Sequence, residues 1–258
     1  MILWIESQDA AIIALLIFAI CYAIAGAIFS VATMISQHRI AAELKALTPV
    51  LLTPLSVITG LLIAFLASRV WANLDRANAY VAQEANAISE IVLLADALPE
   101  ATRGAIHAGL QKNLRFIEAE DWPAMLAGRA NARQSPPGLK ETMTALLTFA
   151  ADDPGQRLAR ERAIVSLERA VEARRGRIML SRAVISPAQW LVIFVLDGLV
   201  LTTLAMVHID RRVTAAAGMF VFSTAVAASL VLLMINDRPF STGGFTVEPA
   251  ALRQVGLE

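Results

Sequence analysis

One carboxylate, Asp197, stands inside an otherwise apolar run from Pro187 to His208. In a helix that starts at Pro187 and rises 1.5 Å per residue, Asp197 sits about 15 Å deep, near the middle of a bilayer. An acidic group there costs about 2.5–3.5 kcal/mol on insertion scales, so it is expected to face protein or water. Two readings stand: an ion- or proton-pathway residue, or a carboxyl hydrogen-bonded to Ser or Thr of a neighbouring span. Little else has the spacing of a reaction centre. His38, His107 and His208 fall in a loop, a soluble helix and a span end, and no metal-ligand spacing links them. The sequence has no glycine-rich phosphate loop, no G-x-S-x-G elbow and no H-E-x-x-H pair. No enzyme, metal or cofactor is therefore expected. Cys21 is the single cysteine and lies in an apolar run, which excludes an intrachain disulfide framework and reads as a packing or lipid-facing residue.

The elements that must position these residues are four apolar runs, Ala10–Ser36, Ala46–Ser68, Pro187–His208 and Val213–Asn236. Each reaches the roughly 20 residues that a helix needs to cross a hydrocarbon core, and all but the third are free of charge. Mean hydropathy is +0.61 and the chain is 57% hydrophobic, so an integral membrane protein follows, with the lipid bilayer as its first partner. The first run lacks a basic n-region, since Glu6 and Asp9 precede it, and reads as a retained span rather than a signal peptide. Basic and acidic residues balance at 22 each, which gives no electrostatic case for nucleic acid.

Between spans two and three lies a polar segment that reads as helix throughout. The fold class is therefore all-α: a four-span helical membrane protein with a soluble helical segment. Its divisions are a hairpin of spans one and two (1–71), the soluble segment (72–186), a hairpin of spans three and four (187–240) and a tail (241–258). Leu74, Val81, Ile88, Val92 and Ala95 extend span two until Pro99. A helix fits Glu100–Ala119, ended by Asp121-Trp122-Pro123; Gln134 to Gly138 reads as an exposed loop, and Leu139–Ala150 as a short helix. Asp153-Pro154 supplies a cap and an N1 proline for a longer helix, in which Ile164, Val171, Ile178 and Ile185 recur every seven residues, with Leu167 between, as a coiled-coil or bundle seam. Ser186-Pro187 opens span three in the same way. Arg69, Arg76, Arg174, Arg175, Arg177, Arg182 and Arg238 flank the segment, against Arg39, Lys45, Arg211 and Arg212 on the other side. That excess favours a cytoplasmic segment.

Span two has two faces. Thr53, Ser56, Gly60, Ile63 and Ala67 make a small, partly hydroxylated side; Leu51, Leu55, Ile58, Leu62 and Phe65 make a bulky one. Pro49 and Pro54 free backbone carbonyls in its first turns. The small face suits a pore lining with Ile63 as an apolar constriction, or close packing of helices through small residues. Glu84 and Glu90 are expected to pair with arginines of the returning helix, while Arg174, Arg175 and Arg177 read as a solvated or headgroup-facing surface.

Several local patterns coincide with one family. Pro54-Leu55 leading to Gly60-Leu61-Leu62-Ile63-Ala64-Phe65, then Trp71 and Glu84-Ala85, resembles the bacterial bestrophin-like membrane proteins. Glu120-Asp121-Trp122-Pro123, Ser186-Pro187 with Trp190, and Asp237-Arg238-Pro239-Phe240-Ser241 followed by Gly243 resemble it too, over about Pro49 to Pro249. The resemblance implies a likeness to bestrophins, pentameric anion channels with four-span subunits and a cytoplasmic helical region between spans two and three. A homo-oligomer, five subunits, inorganic anions as the conducted species and the cell inner membrane are expected on that ground. The chain departs from bestrophins proper in having neither an acidic calcium-clasp cluster nor an aromatic-rich neck, Phe65 being the one aromatic of span two. The residues of Asp237-Arg238-Pro239-Phe240 themselves read as a helix stop at the interface, with Phe240 as anchor.

Two functions of different class fit. One is an oligomeric ion channel lined by span two. The other is a non-conducting scaffold or signalling partner whose soluble helices dock another protein.

Overall fold

The computed structural model describes residues 10–35, 40–240 and 246–255, the side chains of 40–47 excepted. The expectations placed on Glu6, Asp9, Ser36, His38, Arg39, Ser241 and Gly243, and on the Lys45 side chain, lie outside those residues. The helices are α1 (Ala10–Ile35), α2 (Ile40–Ala95), α3 (Glu100–Phe116), a π-helical turn (Ile117–Asp121), α4 (Trp122–Leu126), α5 (Pro137–Thr148), α6 (Pro154–Leu180), α7 (Pro187–Val207), α8 (Arg212–Asn236) and α9 (Ala250–Arg253). Among the described residues there is no strand. Four helices, α1, α2, α7 and α8, are long and apolar enough to cross a membrane. The protein is an all-α membrane protein.

The chain divides into two compact units, with residues 10–72 and 184–237 in one and residues 73–183, 238–240 and 246–255 in the other. In the first, the bundle unit, α1 packs chiefly on α8 and also on α7, and α7 packs on α8. Ile13, Ile17, Cys21, Ala25 and Ala32 repeat along the buried side of α1 at close to helical period. Span three starts at a full capping box: the Ser186 hydroxyl accepts from the Gln189 amide N–H, and the Gln189 side chain accepts from the Ser186 N–H. Pro49 and Pro54 lie inside α2 without ending it.

In the second, the helical unit, α3 crosses α5 at Gly109 and Gly138. A Cβ on Gly138 would collide with the Gly109 carbonyl oxygen and the Asn113 backbone, so no larger residue fits. Asp153 caps α6, its carboxylate accepting from the N–H groups of Gly155 and Gln156 at 2.7 and 3.1 Å.

Four local expectations are corrected here. Asp121-Trp122-Pro123 does not end a helix. A π turn inserts just before Pro123, where a proline would otherwise remove a donor and clash with the preceding turn, and the helix resumes as α4. The stretch from Gln134 to Gly138 is not wholly exposed, because Pro136 and Gly138 are buried. The short helix begins two residues early, with Pro137 in its first turn. The heptad is the seam only in part: Leu167 and Ile178 are buried, but Ile164 and Val171 are half-buried and α6 ends at Leu180, before Ile185. Ala159, Ala163, Ala170 and Ala173 complete the buried face, because small residues admit close helix approach.

Candidate functional site

In the helical unit, residues far apart in the chain meet in one buried cluster. Arg177 of α6 donates through Nε and Nη2 to the two oxygens of Glu84 on α2, at 2.8 and 3.2 Å. Three residues earlier on α6, Arg174 donates through Nε and Nη2 to Asp121, at 2.5 and 2.7 Å, and through Nη1 to the Gln134 carbonyl. The i, i+3 spacing puts both guanidinium groups on one face of α6, and the π turn places Asp121 beneath them. The Arg177 guanidinium lies 5.2 Å from the Trp122 ring centre, and the Trp122 ring meets Phe240 edge-on at 5.6 Å. Glu84, Asp121, Arg174 and Arg177 are all nearly inaccessible to solvent. Burial pushes the Glu84 carboxyl above its ordinary range, and the Arg177 charge opposes that shift.

This cluster corrects two expectations and sharpens a third. Arg174 and Arg177 are not a headgroup-facing surface; of that group Arg175 is exposed. Their partner Asp121 lies 53 residues from Arg174 in sequence, beyond the reach of a pattern argument. Phe240 is not an interfacial anchor either, being buried in the core of the helical unit. Glu84 and Glu90 do pair with arginines of α6, Glu84 as above and Glu90 with Arg169 at 3.4 Å on the surface.

In the bundle unit a second set of separated residues converges. Both carboxylate oxygens of Asp237, just past the end of α8, accept from the Ile185 N–H, at 3.0 and 2.9 Å. Asp237 thus holds the chain immediately before the Ser186 cap of α7. Trp190, one turn into α7, packs with Ile185, Leu233 and Met234. Pro239 is buried in the helical unit, where its carbonyl accepts from the Val247 N–H, and Arg238 is half-buried.

Span two is the least covered of the four spans. Of its most apolar stretch 11% is buried, against 22%, 44% and 39% for spans one, three and four. It joins the bundle through Leu62, Ile63, Leu66, Ala67 and Val70. Thr53 and Gly60 are exposed, Ser56, Ile63 and Ala67 are half-buried, and a Cβ on Gly60 would meet nothing within 4 Å. On the other side Phe65 is 70% exposed. The five small-face residues therefore do not form one uniformly open stripe within a single chain.

Asp197 is fully buried, and neither carboxylate oxygen has a hydrogen-bond partner among the protein atoms. Of the two surroundings expected, protein or water, the chain itself encloses it, and the alternative of a bond to Ser or Thr is not seen among the described residues.

Four apolar helices carrying a helical insertion between the second and third define the class, a multi-span helical membrane protein. A family model described as the Bestrophin-like domain matches residues 19–252, and the chain belongs to that family. No curated protein and no solved structure matches the chain.

Proposed function

We propose that the protein is one subunit of an oligomeric membrane ion channel, anion-conducting, whose pore is lined by span two. The observation that carries this reading is the poor coverage of span two by its own chain, where only 11% of the most apolar stretch is buried. Exposed Val57, Ile58, Leu61 and Phe65 of this span suit lipid, while on its small face Thr53 and Gly60 stand open beside half-buried Ser56, Ile63 and Ala67. Subunits meeting around an axis would give these residues an aqueous neighbour, with Thr53 and Ser56 near one mouth and Ile63 at the narrowest part. Membership of the bestrophin-like family supports the same reading, and five subunits are favoured on that ground. Residues 72–186 lie in the cytoplasm in this proposal, on the side of exposed Arg69, Arg76, Arg175 and Arg182, and the membrane is the cell inner membrane.

The experiment is single-channel recording of purified protein in planar bilayers. Ile63→Ala raises conductance by widening an apolar constriction, and Leu62→Ala changes stability more than conductance. An oligomer whose axis is filled by lipid, or closed by packed Ile63 and Phe65 with no wider state, overturns the channel. Reporter fusions at Asn131 read cytoplasmic, with positions near Ala41 and Asp210 reading outside.

A scaffold is the second reading, favoured by Leu93, Leu147 and Met179 of the helical unit, which are 71%, 62% and 63% exposed. Leu147→Glu would abolish binding of a soluble partner in that case and leave any conductance unaltered.

A further inference from the structure

The interior of the bundle unit holds a polar layer that neither the channel reading nor the packing uses. Asp197 on α7 and Ser223 on α8 are fully buried, and the Ser223 hydroxyl, like the Asp197 carboxyl, has no partner among the protein atoms. The two lie almost equally far along the chain from the turn at 208–211 that joins their antiparallel helices, and so sit at one depth. The Tyr22 hydroxyl bonds the Thr224 hydroxyl at 2.9 Å, which brings the fully buried Cys21 of α1 to the same level, within electrostatic reach of Asp197. This layer divides the apolar interior in two. One turn along from it, Ile193 and Val226 join Cys21 in one cluster, while Leu201 and Met219 join Ala25 in the other.

No cation answers the carboxylate. Among the described residues α1 carries no charge, α8 carries none after Arg212, residues 48–68 of α2 carry none, and Asp197 is the one charge of α7. The titratable groups facing this layer are Cys21 and Tyr22 of α1, and Tyr22 is already bonded to Thr224. An ionised carboxylate buried with neither counter-charge nor donor is among the least tolerable arrangements in a protein interior. A metal ion would need several oxygen ligands, and one carboxylate with one hydroxyl is too few.

We infer that Asp197 is a proton-binding site inside the transmembrane bundle. The carboxylate takes one proton from water, and the resulting acid is neutral, which removes the cost of a bare charge at that depth. Loss of the proton leaves a bare charge between the two apolar clusters and loosens α1, α7 and α8. The bundle is therefore most stable with the site filled, and its stability falls as pH rises through the titration of the site.

The test is infrared difference spectroscopy of the full chain in lipid nanodiscs across a pH series, with thermal unfolding and maleimide labelling of Cys21 read in parallel. The wild type should show a carboxylic-acid carbonyl band at neutral pH that disappears on alkalinisation, with unfolding at lower temperature and faster Cys21 labelling. Asp197→Asn, a neutral isostere, should lack the band and lose the alkaline destabilisation. Ser223→Ala, whose volume change is small and which leaves the carboxyl in place, should keep both the band and the alkaline destabilisation, and the wild-type band alone tests the inference if Asp197→Asn does not fold. Carboxylate bands at neutral pH in place of the acid band, or an Asp197→Asn protein as pH-sensitive as wild type, would each overturn it. These readouts are independent of conduction.

Discussion

Two regions bury carboxyl groups in opposite ways. In the helical unit, Glu84 and Asp121 are each gripped by two guanidinium nitrogens of Arg177 and Arg174. In the bundle unit, Asp197 is buried as deeply and has no partner among the protein atoms. The difference teaches what each group is for. A buried pair whose lone pairs are satisfied can remain ionised and joins helices that approach from distant parts of the chain. A lone buried acid has no such joint to make, and its free energy depends on whether it holds a proton. In the first a counter-charge opposes the effect of burial on the carboxyl, and in the second nothing among the protein atoms does.

The comparison is broken most severely at Glu84. Arginine cannot shed its proton, so Glu84→Gln leaves a buried cation with Asp121 at 3.7 Å as its nearest remaining charge. Loss of about 3–5 kcal/mol in denaturant unfolding is expected. Arg177→Met costs less, because the stranded Glu84 can neutralise itself. Burial already raises its titration range, and removing Arg177 removes the largest opposing influence. The sign follows from linkage: the folded variant then binds a proton more tightly than the unfolded chain, so its destabilisation is relieved as pH falls and grows as pH rises. An Arg177→Met protein equally unstable at acid and neutral pH would show that Glu84 does not act this way. Joint replacement, Glu84→Leu with Arg177→Met, recovers much of the loss, since apolar residues of similar volume replace buried pairs at little net cost.

Smaller effects sharpen the contrast. Asp237→Asn keeps one acceptor for the Ile185 N–H and costs about 1 kcal/mol, the scale of a weakened hydrogen bond to a charged group. Thermal melts in nanodiscs measure it. The smallest effect belongs to the surface pair of Glu90 and Arg169, whose side chains are 42% and 59% exposed. Glu90→Gln changes stability by about 0–1 kcal/mol, less in high salt.

How much was legible in the sequence differs between these regions for a physical reason. The four spans, the caps at Asp153 and Ser186 and the burial of Asp197 follow from local rules of hydropathy, backbone donors and charge in lipid. Arg174 and Arg177 were misread because two arginines one turn apart look solvated on any helix. Their burial depends on Asp121, and Asp121 reaches them through a π turn that no periodicity announces. Phe240 was misread likewise, since an aromatic after a span resembles an anchor until Trp122 is found against its ring.

What the sequence determined by itself is thus the all-helical, four-span character of the protein and the single acid inside a span, because each is a property of about 20 consecutive residues and the solvent they must enter. What only the tertiary structure decided is which charges are paired, which glycines are pinned between helices and which motif residues meet. Those depend on contacts between residues tens of positions apart. The chain spells such contacts out nowhere, and only packing in three dimensions brings Glu84, Asp121, Arg174, Arg177 and Phe240 into one core.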